Sequence, residues 1–160
     1  DSTFIGADLT AISPGVAKDQ PPIAEAVARG VELVGDIELF ARALPSEQKV
    51  LAITGSNGNT TVTALTGALC RAASLATIVA GNIGDAVLDS LPKEGAWADV
   101  FVLELSSFQL ERTQSLRTGA AVVLNVSADH LDRHGIDSGG LVKRGLGRSG
   151  HGTSHLGRGI

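Results

Sequence analysis

Lys49-Val-Leu-Ala-Ile-Thr-Gly-Ser-Asn-Gly-Asn-Thr-Thr-Val62 decides how this chain is read. Val50 to Thr54 are mostly apolar and predict a short buried strand. Gly55-Ser56-Asn57-Gly58 then bend the chain, and Asn59-Thr60-Thr61 open a helix-forming run. A strand, a glycine bend and a helix start together form the layout of a phosphate-binding loop. Glycines let the backbone turn sharply and leave its N–H groups open to a phosphate. The first N–H groups of a helix lack partners inside the helix, and the helix dipole favours an anion there. A hydroxyl from Thr60 or Thr61 suits a magnesium ion. Asn59 stands where lysine normally follows the last glycine, and the glycine spacing is shorter than in the general G-x-x-x-x-G-K-[ST] pattern. The same residues also suit a glycine turn that does no more than cap a helix.

Downstream the pattern repeats. Val62, Leu65, Leu69 and Ala72 fall on one predicted helical face. Ala76–Ala80 is a strand, followed by Gly81-Asn82-Ile83-Gly84 and a helix through Val87 and Leu91. Val100–Leu105 and Ala120–Val126 are further apolar strands. Strands of this kind separated by helices predict an α/β fold with a parallel sheet covered on both faces. Ligands of such sheets gather at the carboxyl ends of the strands. The polar residues Gly55–Thr61, Asn82, Glu104–Gln109 and Asn125–His134 all lie at those ends.

Upstream, residues 7–12 predict a strand ended by the turn Ser13-Pro14-Gly15. A helix starts near Pro22 with Ile23, Val27 and Ala28 on its apolar face, and Gly30 closes it. Val31–Val34 is a strand and Ile37–Leu44 a helix. This β-α-β-α run reads as part of a Rossmann-like α/β domain, and Pro45–Gln48 as the linker after it. The expected division is 1–46, 47–136, and a tail at 137–160.

The chain has 160 residues, is 43% hydrophobic, and has net charge −4 and mean hydropathy +0.20, a soluble globular composition. Mild acidity argues against a nucleic-acid surface. Cys70 is the single cysteine, so no internal disulfide framework exists, which fits a reducing, cytoplasmic setting. No apolar run is long enough for a membrane span. The chain lacks methionine even at position 1 and is read as a fragment. After Ile136 the residues are rich in glycine and arginine without apolar periodicity. A flexible basic tail and out-of-frame translation both account for that, and the second is preferred.

Glu104 is the sharpest candidate. A carboxylate at the end of Val-Phe-Val-Leu-x-Leu is costly to bury without a partner. A magnesium ion between it and a phosphate supplies one; solvent or a nearby arginine would also serve. His130, beside Asp129, suits a second metal or a substrate contact, though loop histidines are usually neither. Asn82 and Ser106 offer neutral donors for a sugar or pyrophosphate, and turn chemistry accounts for Asn82 equally well. Cys70 reads as core.

Gly55-Ser-Asn-Gly-x-Thr-Thr61, Gly81-Asn-Ile-Gly84, Leu103-Glu-Leu-Ser-Ser-Phe-Gln-Leu110 and Asn125-Val-x-x-Asp-His-x-Asp-Arg-His134 together resemble the central domain of the Mur ligases. The Glu104–Leu110 block resembles the branch of that family that adds D-glutamate to UDP-N-acetylmuramoyl-L-alanine. Ser13-Pro-Gly15 and Gly35–Phe40 resemble the end of that branch's N-terminal substrate domain. The resemblance spans about residues 7–136 and implies ATP-dependent amide formation in peptidoglycan synthesis. In that reaction ATP phosphorylates a carboxylate, and the amine attacks the acyl phosphate. It further implies that Gly55, Ser56, Asn57, Gly58, Asn59, Thr60 and Thr61 cradle ATP. Thr60, Glu104 and His130 would hold Mg2+, and Asn59, Glu104 and His130 would be the catalytic set. Ser13, Gly15, Asn82 and Ser106 would contact the UDP-sugar, in a monomer.

Three departures qualify the expected activity. The family lysine is Asn59, and losing one such charged contact costs on the order of 10²–10³ in rate. Lys143, in the anomalous tail, does not match the family's metal-holding lysine segment. The domain that closes over ATP is absent from these 160 residues. The expectation is weak nucleotide binding and no ligation. Two alternatives are a non-catalytic phosphate-binding module and another Mur or folylpolyglutamate-type ligase.

Overall fold

The computed structural model describes residues 4, 6–17 and 19–125. His130, Asp129, Lys143 and the tail lie outside them.

The first unit is a β-α-β turn of chain. Strand β1 (Leu9–Ala11) pairs in parallel with β2 (Glu32–Val34), with Thr10 opposite Leu33, and α1 (Pro21–Ala28) joins them. Pro21 takes a first-turn position where a missing N–H is harmless, and Gly30 follows the helix at φ +84°. The buried face of α1 is Ile23 and Ala26, not the expected Ile23, Val27 and Ala28; Val27 is 49% exposed. With only two strands to cover, the helix rests on a narrow stripe.

The second unit is a four-stranded parallel sheet in the order β4-β5-β3-β6. Its strands are β3 (Lys49–Thr54), β4 (Thr77–Gly81), β5 (Val100–Glu104) and β6 (Ala120–Val123). β5 is buried along its whole length between β3 and β4, which accounts for its unbroken apolar run. Its register sets Ile53 and Gly81 on either side of Glu104. The chain leaves β3 toward β4 and later reaches β6 on the other side. The order therefore switches at β3, where ligand crevices of such sheets form.

Helix α2 (Asp36–Ala43) belongs to the first unit by sequence but packs on the second sheet. Ile37 and Phe40 are fully buried among Val50, Phe101 and Leu103, and the Phe40 ring meets Phe101 edge-on at 5.1 Å. Two polar stitches reinforce this seam. Glu38 accepts hydrogen bonds from the Gln114 and Ser115 N–H groups, the Ser115 hydroxyl and Arg42. Arg112 donates to the carbonyls of Ser13 and Val16 at 2.9 and 2.6 Å.

Two sequence expectations change here. Helix α3 (Asn59–Ala72) buries Thr63 and Gly67, whereas Leu65 and Leu69 are 57% and 62% exposed. Close approach decides this face: a Cβ at Gly67 would lie 2.4 Å from Val79 Cγ2, so the helix meets β4 on its smallest side chain. Residues around Val87 and Leu91 form successive turns instead of a helix, with Asp89, Ser90 and Leu91 N–H groups bonding three residues back. The segment is pinned by the Ala80–Asp85 bridge and stopped by Pro92, leaving too few residues to propagate a helix. Val87 still reaches the core.

Candidate functional site

The glycine bend lies where β3 meets α3. Gly58 is the N-cap of α3 at φ +79°, a conformation glycine adopts without penalty. Gly55 lies tight against the end of β6, since a Cβ there would lie 3.2 Å from Leu124 Cβ. Thr60 and Thr61 sit in the exposed first turn of α3. The first N–H groups of that helix have no intrahelical acceptor, so the helix start is open to an anion.

Glu104 ends β5 and is 1% exposed. Its Oε1 accepts from Asn59 Nδ2 at 3.1 Å and from Asn82 Nδ2 at 3.0 Å. Its Oε2 is buried and has no hydrogen-bond partner among the described residues. Among the described residues no arginine reaches this carboxylate; two neutral amides hold one of its oxygens. Asn82 is itself fixed, its N–H donating to the Glu104 carbonyl at 2.8 Å. That hydrogen bond requires close approach of the two chains, and Gly81 provides it: a Cβ there would lie 2.3 Å from the Glu104 carbonyl oxygen. Asn59, Asn82 and Glu104, chosen separately from the sequence, thus meet at one point.

Asn125, just past β6, opens the polar run noted at the strand ends in the sequence but was given no role of its own there. Its Oδ1 accepts from the Asn57 N–H at 2.8 Å and its Nδ2 donates to the Asn57 carbonyl at 2.8 Å. Its own carbonyl accepts from the Ser56 N–H at 3.2 Å. One primary amide therefore pairs with the bend as a neighbouring strand would. The available signal was an asparagine at the carboxyl end of an apolar strand. Asn125→Ala removes two of these bonds from an exposed loop. The expected cost is about 1–2 kcal/mol in stability, with faster amide hydrogen exchange at Ser56 and Asn57. Unchanged exchange there would remove the clamp.

Ser106 caps α4 (Ser107–Leu110). Its hydroxyl accepts from the Gln109 N–H, and the Gln109 side chain returns to the Ser106 N–H at 3.0 Å, completing a capping box. Gln109 Nε2 also reaches Asp36 at 3.3 Å. Ser13 and Gly15 lie in the turn after β1, and the Ser13 carbonyl is held by Arg112. Among the described residues no group of three or more His, Cys, Asp or Glu side chains is placed to hold a metal. No described helix is long and apolar enough to cross a membrane. Cys70 is free and half-buried on α3.

Chemically, the buried Oε2 of Glu104 is a hard oxygen ligand lacking a partner, beside a helix start that attracts anions. Glu104 is the residue here that would hold a divalent cation, whose charge would offset that of a phosphate at the helix start. A model of the Mur ligase middle domain matches residues 53–137. A UDP-N-acetylmuramoylalanine–D-glutamate ligase from Chromobacterium violaceum is 58% identical over 138 residues, covering 84% of this chain and 30% of that protein. One from Methylobacillus flagellatus is 54% identical over 133 residues, covering 83% and 29%. The chain thus spans about 30% of the length of the curated relatives it matches. Among solved structures, a UDP-N-acetylmuramate–alanine ligase from Thermotoga maritima is similar in fold, with TM-score 0.51 and 23% identity. The likeness covers 86% of this chain and 32% of that one.

Proposed function

We propose that this chain, which belongs to the Mur ligase family, is the phosphate-binding part of an ATP-dependent ligase that joins D-glutamate to UDP-N-acetylmuramoyl-L-alanine in the cytoplasm. The observation that carries the reading is the buried carboxylate of Glu104, joined through Asn59 to the helix start after the glycine bend, with one oxygen held and the other buried without a hydrogen-bond partner among the described residues. The names of the relatives support the choice of amino acid.

In this reading Gly55, Ser56, Asn57 and Gly58 shape the cradle, and the start of α3 receives the phosphates of ATP. Glu104 and the Thr60 hydroxyl hold Mg2+, which when bound supplies positive charge to offset the phosphates. Asn59 and Asn82 orient Glu104. Ser13, Gly15 and Ser106 are assigned to the UDP-sugar, and His130, outside the described residues, to a second metal position. The division into 1–46 and 47–136 belongs to the same proposal, with α2 before the break in sequence but packed on the second sheet.

The test is a ligation assay on the 160-residue chain and on a protein of the relatives' full length carrying these residues. The expected result is ADP release dependent on both substrates from the long protein and none from the 160-residue chain, which spans about 30% of the relatives' length. Turnover by the short chain, or a long protein that prefers another amino acid, would overturn the reading.

A further inference from the structure

One short helix links the two segments assigned to the UDP-sugar. Ser106 stands at the start of α4, fixed there by Gln109. Arg112 lies just past the other end and is 5% exposed. Its backbone N–H donates to the Gln109 carbonyl at 3.1 Å, and the Thr113 hydroxyl donates to the same carbonyl at 2.8 Å, so the base of the side chain is fixed. Its Cβ lies against the start of α2, 3.5 Å from where a Cβ on Gly35 would stand. From there the guanidinium crosses to the first unit, where Nη1 donates to the Ser13 carbonyl and Nη2 to the Val16 carbonyl, at 2.9 and 2.6 Å. Those carbonyls belong to the two ends of one turn, which the Val16 N–H closes onto the Ser13 carbonyl at 3.0 Å. Ser13 and Gly15 are themselves exposed. The turn is thus tied at both ends while two of its residues stay accessible. A planar guanidinium holds two acceptors at a set spacing, which the point charge of an ammonium does not.

We infer that Arg112 is a positioning residue for the UDP-sugar. It sets the Ser13–Val16 turn against the helix that carries Ser106, so that segments distant in sequence meet the ligand already ordered. A turn held beforehand spares binding the entropy of ordering it. This inference rests on the assignment of Ser13, Gly15 and Ser106 to the UDP-sugar above and adds the residue that links them.

The test reads the turn and the ligand separately. In the 160-residue chain, Arg112→Ala should speed amide hydrogen exchange at Val16 by at least about tenfold. In the protein of the relatives' full length, the same change should weaken binding of UDP-N-acetylmuramoyl-L-alanine by at least about tenfold in calorimetry and leave ATP binding within about twofold. Arg112→Lys keeps the charge but not the fork, so it should fall between, at about threefold in exchange and in UDP-sugar affinity. If the Arg112→Ala protein fails to fold, Arg112→Lys decides the question by the same two readings. Unchanged exchange at Val16 would overturn the inference and leave the assignment of the turn standing. Faster exchange with unchanged UDP-sugar binding would overturn both. Equal losses of UDP-sugar and ATP affinity would overturn the inference in favour of general destabilisation. An unaltered long protein that binds ATP but not the UDP-sugar would overturn the assignment and the inference with it.

Discussion

Gly81→Ala is expected to remove about 2–6 kcal/mol of stability, enough to unfold much of the chain at room temperature. Two effects add. Gly81 sits at φ +106°, where a side chain is strained, and its Cβ would lie 2.3 Å from the Glu104 carbonyl oxygen. That oxygen belongs to the backbone of a fully buried strand, so it cannot turn aside as a flexible side chain would. Relief requires β4 and β5 to part, which breaks the Asn82 N–H bond to the same carbonyl. Gly30 is the control: its φ is +84°, yet a Cβ there meets nothing within 4 Å. Gly30→Ala should cost only the backbone preference, about 1–2 kcal/mol. Urea denaturation of both variants separates steric from conformational cost. Equal midpoints would show that the contact at Glu104 is not limiting.

Glu38→Ala is the second large effect, expected at about 2–4 kcal/mol. Glu38 is 1% exposed, and its carboxylate accepts the Gln114 and Ser115 N–H groups at 2.6 and 2.9 Å. Removing it strands those donors in the seam. Arg42 loses less, because it is partly exposed and still donates to Glu32. Burial pushes the Glu38 carboxyl up, but the hydrogen bonds from Ser115, the two N–H groups and Arg42 outweigh it, holding the group below its ordinary 4.5. A carboxyl held low in the folded state contributes stability above its ordinary value and loses it as the pH falls through the folded value. Stability should therefore decline below about pH 4.5. Glu38→Gln should flatten that decline in a pH series of thermal midpoints. An unchanged profile would assign the decline to other groups. Glu32 is also held low by Arg42, but it is exposed and contributes little.

Much of this architecture was legible because its strands are buried on both faces and interrupted by glycine. Val100–Glu104 could be nothing else in a chain of this composition, and the bend at Gly55–Gly58 follows from the residues themselves. Helix faces were less legible. On α3 the apolar stripe through Leu65 and Leu69 points outward, because contact with β4 was decided by the absence of a side chain at Gly67. Periodicity registers large residues and is blind to that. The Val87–Leu91 segment failed for a related reason: its two core contacts mimic a helical face, while Asp85 and Pro92 leave no room for one. In the candidate site, residue types drew attention to Glu104, Asn59 and Asn82, but only strand register shows that they converge. Asn125 acts across 68 positions on Asn57, a relation no local pattern carries.

The strand order has a consequence for how the chain is made. β3 is flanked by β5 and β6 and never by β4, its successor in sequence. On a ribosome, Val50–Ile53 emerge and wait through some fifty residues before Val100–Glu104 arrive beside them. The bend acquires its final clasp only when residue 125 follows. Assembly from such distant pieces is slow and leaves sticky segments uncovered in the meantime. Among the described strands, the corner at the glycine bend is thus the last part of the nascent sheet to close, and any stall in translation before that point leaves it unmade.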